Sequence, residues 1–191
     1  MLPLDELLLA YANGWFPMAD DDRRVRWYSP DPRGILPLDR FHVPRRLART
    51  IRQRRFEIRV DTAFREVIEA CARDREDGTW ISREIVETYV ALHERGFAHS
   101  VEAWQDGRLA GGLYGVALLG AFFGESMFHR VRDASKVALV ALIERLRERG
   151  YRLLDVQWLT DHLEQFGAIE IPRAEYLRRL SDALQVECRF A

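Results

Sequence analysis

The sequence has few cysteines and a single lysine. Cys71 and Cys188 are the two cysteines among 191 residues, and neither belongs to a Cys-x-x-Cys pair or a Cys/His cluster. This scarcity excludes a disulfide scaffold and predicts that no structural zinc ion is bound. Reduced, buried thiols are the simplest interpretation, and they are typical of a cytoplasmic protein.

Long apolar runs and nucleotide-binding glycine motifs are also missing. The least polar stretch, residues 109–124, is interrupted by glycines and is shorter than the ~20 residues that a spanning helix needs. The N-terminus carries acids where a secretory signal would carry basic residues. We therefore expect a cytoplasmic protein with no membrane partner. The absence of a Walker A motif and of G-x-G-x-x-G argues against a P-loop or dinucleotide enzyme.

Apolar residues make up 48% of the chain, which is enough for one sizeable domain with a core. The formal net charge of −1 conceals a basic segment. Between Arg40 and Arg59 there are eight arginines and one acid, Glu57. Such a segment is typical of a nucleic-acid backbone contact, but a solvated helix face would have the same composition.

Hydrophobic periodicity and capping residues predict alternating helices and strands. Helices are predicted at residues 5–13, 44–51, 63–73, 82–94, 134–149, 160–166 and 172–184, and strands at 56–60, 99–104, 109–116, 118–124 and 153–157. Residues 15–37 are predicted to form a packed loop with two short strands, and residues 74–80 a polar loop. Asp133 is expected to cap the helix from residue 134. The order of elements predicts an α+β (mixed α/β) fold with that helix packed on the sheet.

Three polar positions stand out against apolar surroundings. Glu125 is predicted at the end of an apolar strand, where a carboxylate is costly unless it is paired or functional. Asp155 and Gln157 follow another apolar strand, and the strand period of two predicts that they share a face. Lys136, the sole lysine, lies in the first turn of a helix. Each could equally be a satisfied structural residue, and the spacing alone does not identify a reaction.

Ten short motifs follow one another along about residues 8–180. They are Ala10-Tyr11-Ala12-Asn13-Gly14-Trp15-Phe16-Pro17, Trp27-Tyr28-Ser29-Pro30-Asp31-Pro32-Arg33, Asp74-Arg75-Glu76-Asp77-Gly78-Thr79-Trp80-Ile81, His99-Ser100-Val101-Glu102, Gly111-Gly112-Leu113-Tyr114-Gly115-Val116, Gly124-Glu125-Ser126-Met127-Phe128, Ala134-Ser135-Lys136, Asp155-Val156-Gln157, Asp161-His162 and Gly167-Ala168. Each motif alone is weak, but together they are specific. The sequence resembles the leucyl/phenylalanyl-tRNA–protein transferases.

The resemblance implies a GNAT-like acyltransferase domain after a small N-terminal domain, which we place at residues 61–191 and 1–60. It also implies a reaction in which Leu or Phe, or Met, moves from aminoacyl-tRNA to the α-amine of a protein that begins with Arg or Lys. This transfer marks the acceptor for degradation. The reaction is aminolysis of an ester, so no cofactor or metal is expected. Nothing in the sequence demands more than a monomer.

The resemblance also assigns roles to residues of this chain. Asp155 and Gln157 match the proposed catalytic pair, in which Gln157 would contact the amine or the ester carbonyl. The expected substrate-binding residues are Glu125, which would meet a cationic amine, Trp80 near the terminal adenosine, Leu113, Phe122 and Leu139 around the donor side chain with Leu142 beside them, Ser126 and Lys136. Arg45, Arg46, Arg49 and Arg52 are expected to contact the tRNA backbone.

The sequence departs from the family pattern at two places. The family's usual N-terminal extension does not precede the first helix, so we expect a shortened N-terminal domain. Met18 stands where the family commonly has Trp, which removes a stacking surface. Two alternatives remain, an acyl-CoA-dependent GNAT N-acyltransferase and an RNA-binding module without enzymatic activity. The first is disfavoured because residues 129–134 contain no glycine that would let backbone N–H groups approach a phosphate.

Overall fold

A computed structural model describes residues 1–73 and 79–191 of the chain. Residues 74–78 lie outside the described residues. They include most of the predicted polar loop at residues 74–80 and the start of the family motif that begins at Asp74. The helices are α1 (Leu4–Ala12), α2 (Arg45–Arg52), α3 (Phe64–Arg73), α4 (Arg83–Glu94), α5 (Ala134–Glu148), α6 (Asp161–Glu164) and α7 (Arg173–Ala183). The strands are β1 (Phe16–Ala19), β2 (Val25–Tyr28), β3 (Arg33–Ile35), β4 (Glu57–Val60), β5 (Ala98–Gln105), β6 (Arg108–Leu118), β7 (Ala121–His129), β8 (Leu153–Gln157) and β9 (Ile169–Ile171).

Local signals in the sequence account for most of these boundaries. The Ser82 hydroxyl accepts a hydrogen bond from the Ile85 N–H at 3.3 Å and so caps α4. Asp106 and Gly107 have φ angles of +50° and +72°, and they form the predicted turn between β5 and β6. Asp133 is a correction: it has φ +68° and its side chain makes no capping hydrogen bond to α5.

Seven strands form one sheet in the order β4-β5-β6-β7-β8-β3-β9, and β1 and β2 form a separate hairpin. All neighbours in the large sheet are antiparallel except β7 and β8, which are parallel and are connected through α5. The predicted α+β fold is confirmed. An antiparallel meander followed by a helix and a parallel strand agrees with the GNAT-like order that the resemblance implies.

The third strand of the meander differs from its prediction. Residues 118–124 were expected to form it, but β7 begins at Ala121 and extends to His129, so that Glu125 lies within the strand. The pairing with β6 shifts there: Tyr114 faces Ser126 and Gly115 faces Gly124. Glu125 is therefore the extra residue of a β-bulge, a feature that redirects a side chain. Periodicity could not reveal it because a bulge interrupts the period of two.

The pairing of β7 with β8 ends early. The last matched residues are Phe123 and Asp155, although both strands continue beyond them. On its other side β8 pairs with β3, where Gly34 faces Gln157. A Cβ atom at Gly34 would lie 2.7 Å from the backbone carbonyl carbon of Trp158, so glycine allows this close approach. Beyond Phe123 and Asp155, β7 and β8 separate, and the candidate site begins at this point.

Two apolar clusters cover the two faces of the sheet. One includes residues of α1, α3, α4 and α7, and the other includes residues of α2 and α5. β3 and β4, which precede residue 61, belong to the same sheet as the later strands, and the division of the chain at residue 60 remains a prediction. Within residues 1–73 and 79–191, no helix is long and apolar enough to cross a membrane.

Candidate active site

A cavity of about 370 Å³ opens where β7 and β8 separate. Its walls are mostly apolar, and its polar groups come from β7, β8 and α6. The lining residues are Phe16, Met18, Trp80, Leu113, Tyr114, Gly124, Glu125, Ser126, Met127, Leu139, Leu142, Leu154, Val156, Gln157, Trp158, Thr160, His162 and Leu163. An apolar pocket with a few polar groups at one side is typical of a site for a small organic group.

The Glu125 carboxylate is held by two tyrosines that do not line the cavity. The Tyr11 hydroxyl, on α1, donates to Oε1 at 2.6 Å, and the Tyr89 hydroxyl, on α4, lies 3.5 Å from Oε2. The two hydroxyls are also hydrogen-bonded to each other. Burial and the nearby Glu125 charge raise the pKa of both phenols well above 10, so they remain protonated donors.

The Glu125 carboxyl has an unusual acidity. Burial raises its pKa to about 8, and the Asp155 charge acts in the same direction. The Tyr11 and Tyr89 hydrogen bonds and the Arg33 charge act in the opposite direction and do not compensate for burial. A titratable group that changes its charge near neutral pH therefore lines the cavity.

Asp155 does not line the cavity, and its carboxylate accepts four hydrogen bonds. Its Oδ1 accepts from Arg33 Nε and from the Gln157 backbone N–H, each at 2.9 Å. Its Oδ2 accepts from Arg33 Nη2 at 2.6 Å and from the Tyr176 hydroxyl at 2.8 Å. Asp155 and Arg33 are fully buried, and neither of them lines the cavity. Buried charges of this kind require such pairing.

The Arg33 guanidinium connects this pair to the rest of the fold. Its Nη1 donates to the Gly14 carbonyl at 2.9 Å, and its planar group lies between the Phe16 and Tyr176 rings, 4.8 and 4.4 Å from their centroids. Burial alone would lower the pKa of Arg33, but the Asp155 charge raises it. Elements distant in sequence, β3, β8 and α7, thus meet at one ion pair.

Gln157 turns the end of β8 toward the cavity. Its φ angle is +62°, a left-handed value that is uncommon outside glycine, and the Trp158 N–H donates to the Val156 carbonyl at 2.8 Å across it. Val156 and Gln157 consequently both line the cavity, whereas Asp155 does not. Gln157 is 6% exposed, and its Nε2 donates no hydrogen bond within the described part of the chain.

Known proteins match this chain over nearly its whole length. The family model of the leucyl/phenylalanyl-tRNA protein transferase matches residues 35–181. The family model of the N-terminal domain of that transferase matches residues 1–31. A leucyl/phenylalanyl-tRNA–protein transferase of Herpetosiphon aurantiacus is 60% identical, over 96% of this chain and 95% of its own length. The corresponding protein of Rubrobacter xylanophilus is 60% identical over 97% of each chain. The chain belongs to the leucyl/phenylalanyl-tRNA–protein transferase family.

The prediction of a transferase of this family is thereby confirmed. Among solved structures, a conserved Staphylococcus epidermidis protein of unknown function has a TM-score of 0.50 and 9% identity, over 90% of this chain and 65% of that chain. At that identity the likeness concerns the fold alone.

The structure brings most of the residues assigned from the family resemblance to the cavity wall. These are Trp80, Leu113, Glu125, Ser126, Leu139, Leu142 and Gln157. Phe122 is a correction: it does not line the cavity, because its side chain is fully buried in the apolar cluster beside it, where its ring stacks on Phe190 at 5.1 Å. Asp155 and Gln157 also differ from expectation, because the left-handed residue breaks the period of two and Asp155 binds the backbone of Gln157.

Lys136 lies near the cavity but outside its lining. It is half-buried in the first turn of α5, and its charge helps to lower the pKa of His162, although burial of the imidazole contributes more. No salt bridge to Lys136 is found among the described residues.

The four arginines expected at the tRNA backbone lie on α2. Arg45, Arg46, Arg49 and Arg52 are exposed, while Leu47 on the same helix is buried and anchors it. In the described part of the chain none of the four forms a salt bridge. Their charges remain available to an external anion.

Sequence reasoning missed the residues that support the site. Tyr11 and Tyr89 have the spacing of core aromatics. Arg33 lies on the three-residue strand β3 and Tyr176 on the helix α7, and no sequence motif marks either as part of an ion pair. Trp158, which is 40% exposed and lies 5.1 Å from the Phe16 ring, adds an aromatic wall that was also missed. Within residues 1–73 and 79–191, no group of three or more His, Cys, Asp or Glu could hold a metal ion.

Proposed function

We propose that this chain transfers Leu or Phe, and also Met, from aminoacyl-tRNA to the N-terminal α-amine of proteins that begin with Arg or Lys. The transfer would mark these proteins for degradation in the cytoplasm, and the reaction would use no cofactor. The observation that carries the proposal is a cavity with mostly apolar walls that has Glu125 and Gln157 among its polar lining residues. The apolar side chain of the donor ester needs apolar walls, and the attacking amine needs polar groups beside them.

The apolar walls would receive the donor side chain. Leu113, Leu139, Leu142, Leu154 and Leu163 contribute branched aliphatic surface without charge. Leu and Phe side chains gain free energy from leaving water there, on the order of 25 cal/mol per Å² of apolar area. Trp80, half-buried at the rim, would stack on the terminal adenosine.

Gln157 would stabilise the charge that develops on the ester carbonyl. Its Nε2 group is buried, lines the cavity and lacks a partner in the described part of the chain. A donor that is already desolvated and fixed needs little reorganisation when the oxyanion forms. Asp155, whose carboxylate holds the Gln157 backbone N–H at 2.9 Å, would act as a positioning residue.

Glu125 would meet the cationic amine of the acceptor. Its carboxylate lines the same cavity as Gln157 and is anchored from behind by Tyr11. Ser126 and Lys136 would contribute further polar contacts near the mouth. The exposed arginines of α2, Arg45, Arg46, Arg49 and Arg52, would contact tRNA phosphates, for which Arg is well suited.

The test is transfer of radiolabelled leucine from charged tRNA to a peptide that begins with Arg. A peptide with N-terminal Ala, and acetyl-CoA as an alternative donor, are the controls. Label on the Arg peptide alone supports the proposal, and absence of label with every charged donor overturns it. A Gln157→Ala variant that still binds tRNA but no longer transfers supports the role of Gln157, whereas full transfer contradicts it.

Use of acyl-CoA is disfavoured by the backbone before α5. The N–H groups of Arg130 and Val131 both donate to the Ala110 carbonyl, at 2.7 and 3.0 Å. They are therefore engaged where a pyrophosphate would need free donors. Acetyl-CoA should give no product at any concentration that leaves the protein folded. The chain is proposed to act as a monomer, with residues 1–60 as the small domain.

A further inference from the structure

Aminolysis requires that two protons leave the acceptor nitrogen. The acceptor reaches the enzyme largely as an ammonium ion near neutral pH, because N-terminal α-amines have pKa values of about 7.7–8.0. One proton is released to solvent overall, and the other must reach the ribose oxygen that leaves the ester. Gln157 does not titrate and cannot carry it. A titratable group that lines the cavity can do so.

The Asp155 carboxylate is not free to accept this proton. Four donors already occupy its two oxygens, two from Arg33 and one each from Tyr176 and the Gln157 backbone. It is fully buried and does not line the cavity. A proton placed on it would break a bidentate ion pair, which is energetically costly.

Glu125 differs from Asp155 in each respect. It lines the cavity together with Gln157, and the β-bulge of β7 directs it there. Tyr11 donates to Oε1 at 2.6 Å, but Oε2 has only the long 3.5 Å contact with Tyr89 among its described partners. The oxygen with the weaker contact therefore retains the capacity to accept a proton. We propose that Glu125 is the general base and proton carrier of the transfer reaction.

The proposed step rests on the proposed function and conserves protons and bonds. As the nitrogen forms its bond to the ester carbonyl carbon, one N–H bond breaks and an O–H bond forms on Glu125. As the carbonyl C–O bond of the ester breaks, Glu125 gives this proton to the leaving ribose oxygen. The carboxylate is regenerated, and the products are an amide and a free ribose hydroxyl.

The acidity of Glu125 suits this exchange. Its pKa of about 8 is close to that of the α-amine, so the proton moves in either direction without a large energetic penalty. The groups that set this value come from four elements. They are Tyr11 on α1, Tyr89 on α4, Arg33 on β3 and Asp155 on β8.

The test separates proton transfer from simple binding of a cation. With the wild-type chain and saturating acceptor, the single-turnover rate should fall below a pH of about 8 as Glu125 becomes protonated. Glu125→Gln should reduce this rate at saturating acceptor by about 100- to 10,000-fold, beyond any increase in KM that comes from the lost contact with the amine. An increase in KM with an unchanged rate would mean that Glu125 only binds the acceptor, and this would overturn the proposal.

Two tyrosine variants test the proposal even if Glu125→Gln does not fold. Neither Tyr11 nor Tyr89 lines the cavity. Tyr11→Phe removes the shorter hydrogen bond, one that lowers the pKa of Glu125, so the midpoint of the rate profile should rise by about one pH unit. Tyr89→Phe should give a smaller rise because its contact is longer. Profiles that stay unchanged, or that shift equally, overturn the proposal. Absence of transfer by the wild-type chain is a different result, which would overturn the proposed function itself.

Discussion

Arg33 and Asp155 form a buried ion pair across the β3–β8 junction, with Nη2 and Oδ2 2.6 Å apart and both side chains without solvent exposure. The residues are separated by more than a hundred positions in the sequence. The same carboxylate holds the backbone of Gln157, which faces the cavity. The ion pair is therefore a structural support placed directly behind the candidate active site.

Removal of Arg33 should severely destabilise the protein. Arg33→Met leaves the Asp155 carboxylate buried without its cation, which typically costs about 3–5 kcal/mol. Urea unfolding at pH 7 measures this loss as a lower transition midpoint. Tyr176→Phe, which removes a single 2.8 Å hydrogen bond from the same carboxylate, should cost only about 1–2 kcal/mol. Equal losses in the two variants would contradict the central place of the ion pair.

Glu125 should lower stability at alkaline pH. Its pKa is about 8 in the folded protein and near 4.5 in the unfolded chain. The destabilisation that Glu125 contributes is therefore absent below pH 4.5 and increases as the pH rises to about 8. Glu125→Gln should therefore be more stable than the wild-type chain at pH 8.5, by on the order of 2 kcal/mol once the partial exposure of the side chain is taken into account.

Urea unfolding of Glu125→Gln at pH 4.5 and at pH 8.5 provides the measurement. The difference from wild type should be small at pH 4.5, where the wild-type carboxyl is protonated in the folded state. Glu148→Gln, at an exposed position on α5, is the matched control and should show no such dependence. A stabilisation of the same size at both pH values would indicate a packing effect of the amide instead.

The sequence was sufficient for the fold class, which depends on local patterns, and the family resemblance identified seven of the eighteen residues that line the cavity. Apolar periodicity, the Ser82 cap and the Asp106–Gly107 turn identify elements, and short motifs identify Glu125 and Gln157. These signals lie within a few residues of the positions they determine.

The remaining features depend on contacts between distant segments. The bulge at Glu125 exists only relative to the register of β6, and the partner of Asp155 lies on β3. The family resemblance placed Phe122 at the cavity. Its ring lies in the same apolar cluster as the cavity residues Leu113 and Leu139, but it is fully buried against Phe190 and does not reach the cavity. Sequence spacing alone carries no information about these pairings.

Trp80 should contribute to binding of the charged tRNA and little to folding. It lines the cavity and is half-buried, and its backbone carbonyl, which accepts from the Ala19 N–H at 3.0 Å, is retained in any substitution. Base–aromatic stacking is worth about 1–3 kcal/mol, so Trp80→Ala should weaken tRNA binding about 5- to 150-fold. Trp80→Phe should retain most of the affinity.

Filter binding of leucyl-tRNA to each Trp80 variant measures this effect. The uncharged tRNA should lose affinity to a similar extent, because the stacked base is present in both forms. A Trp80→Ala variant with unchanged tRNA affinity but altered preference between Leu and Phe donors would assign Trp80 to the donor side-chain pocket instead.

The α2 arginines should determine the salt dependence of tRNA binding. Arg45, Arg46, Arg49 and Arg52 are exposed on one short helix that Leu47 anchors to the core. An arginine that contacts a phosphate releases counterions, so each Arg→Ala substitution should reduce the slope of log affinity against log salt by about 1. Affinity should fall for all tRNA sequences alike because a phosphate contact does not read bases.

Arg178→Ala is the matched control for the α2 substitutions. Arg178 is also exposed on a helix, but it pairs with Glu175 at 2.5 Å, so its charge is already balanced within the protein. Its removal should leave the salt slope unchanged. If the α2 variants and the Arg178 variant reduced the slope equally, tRNA would be attracted by the overall charge of the protein. Binding would then not be centred on α2, and the basic segment would be a solvated helix face.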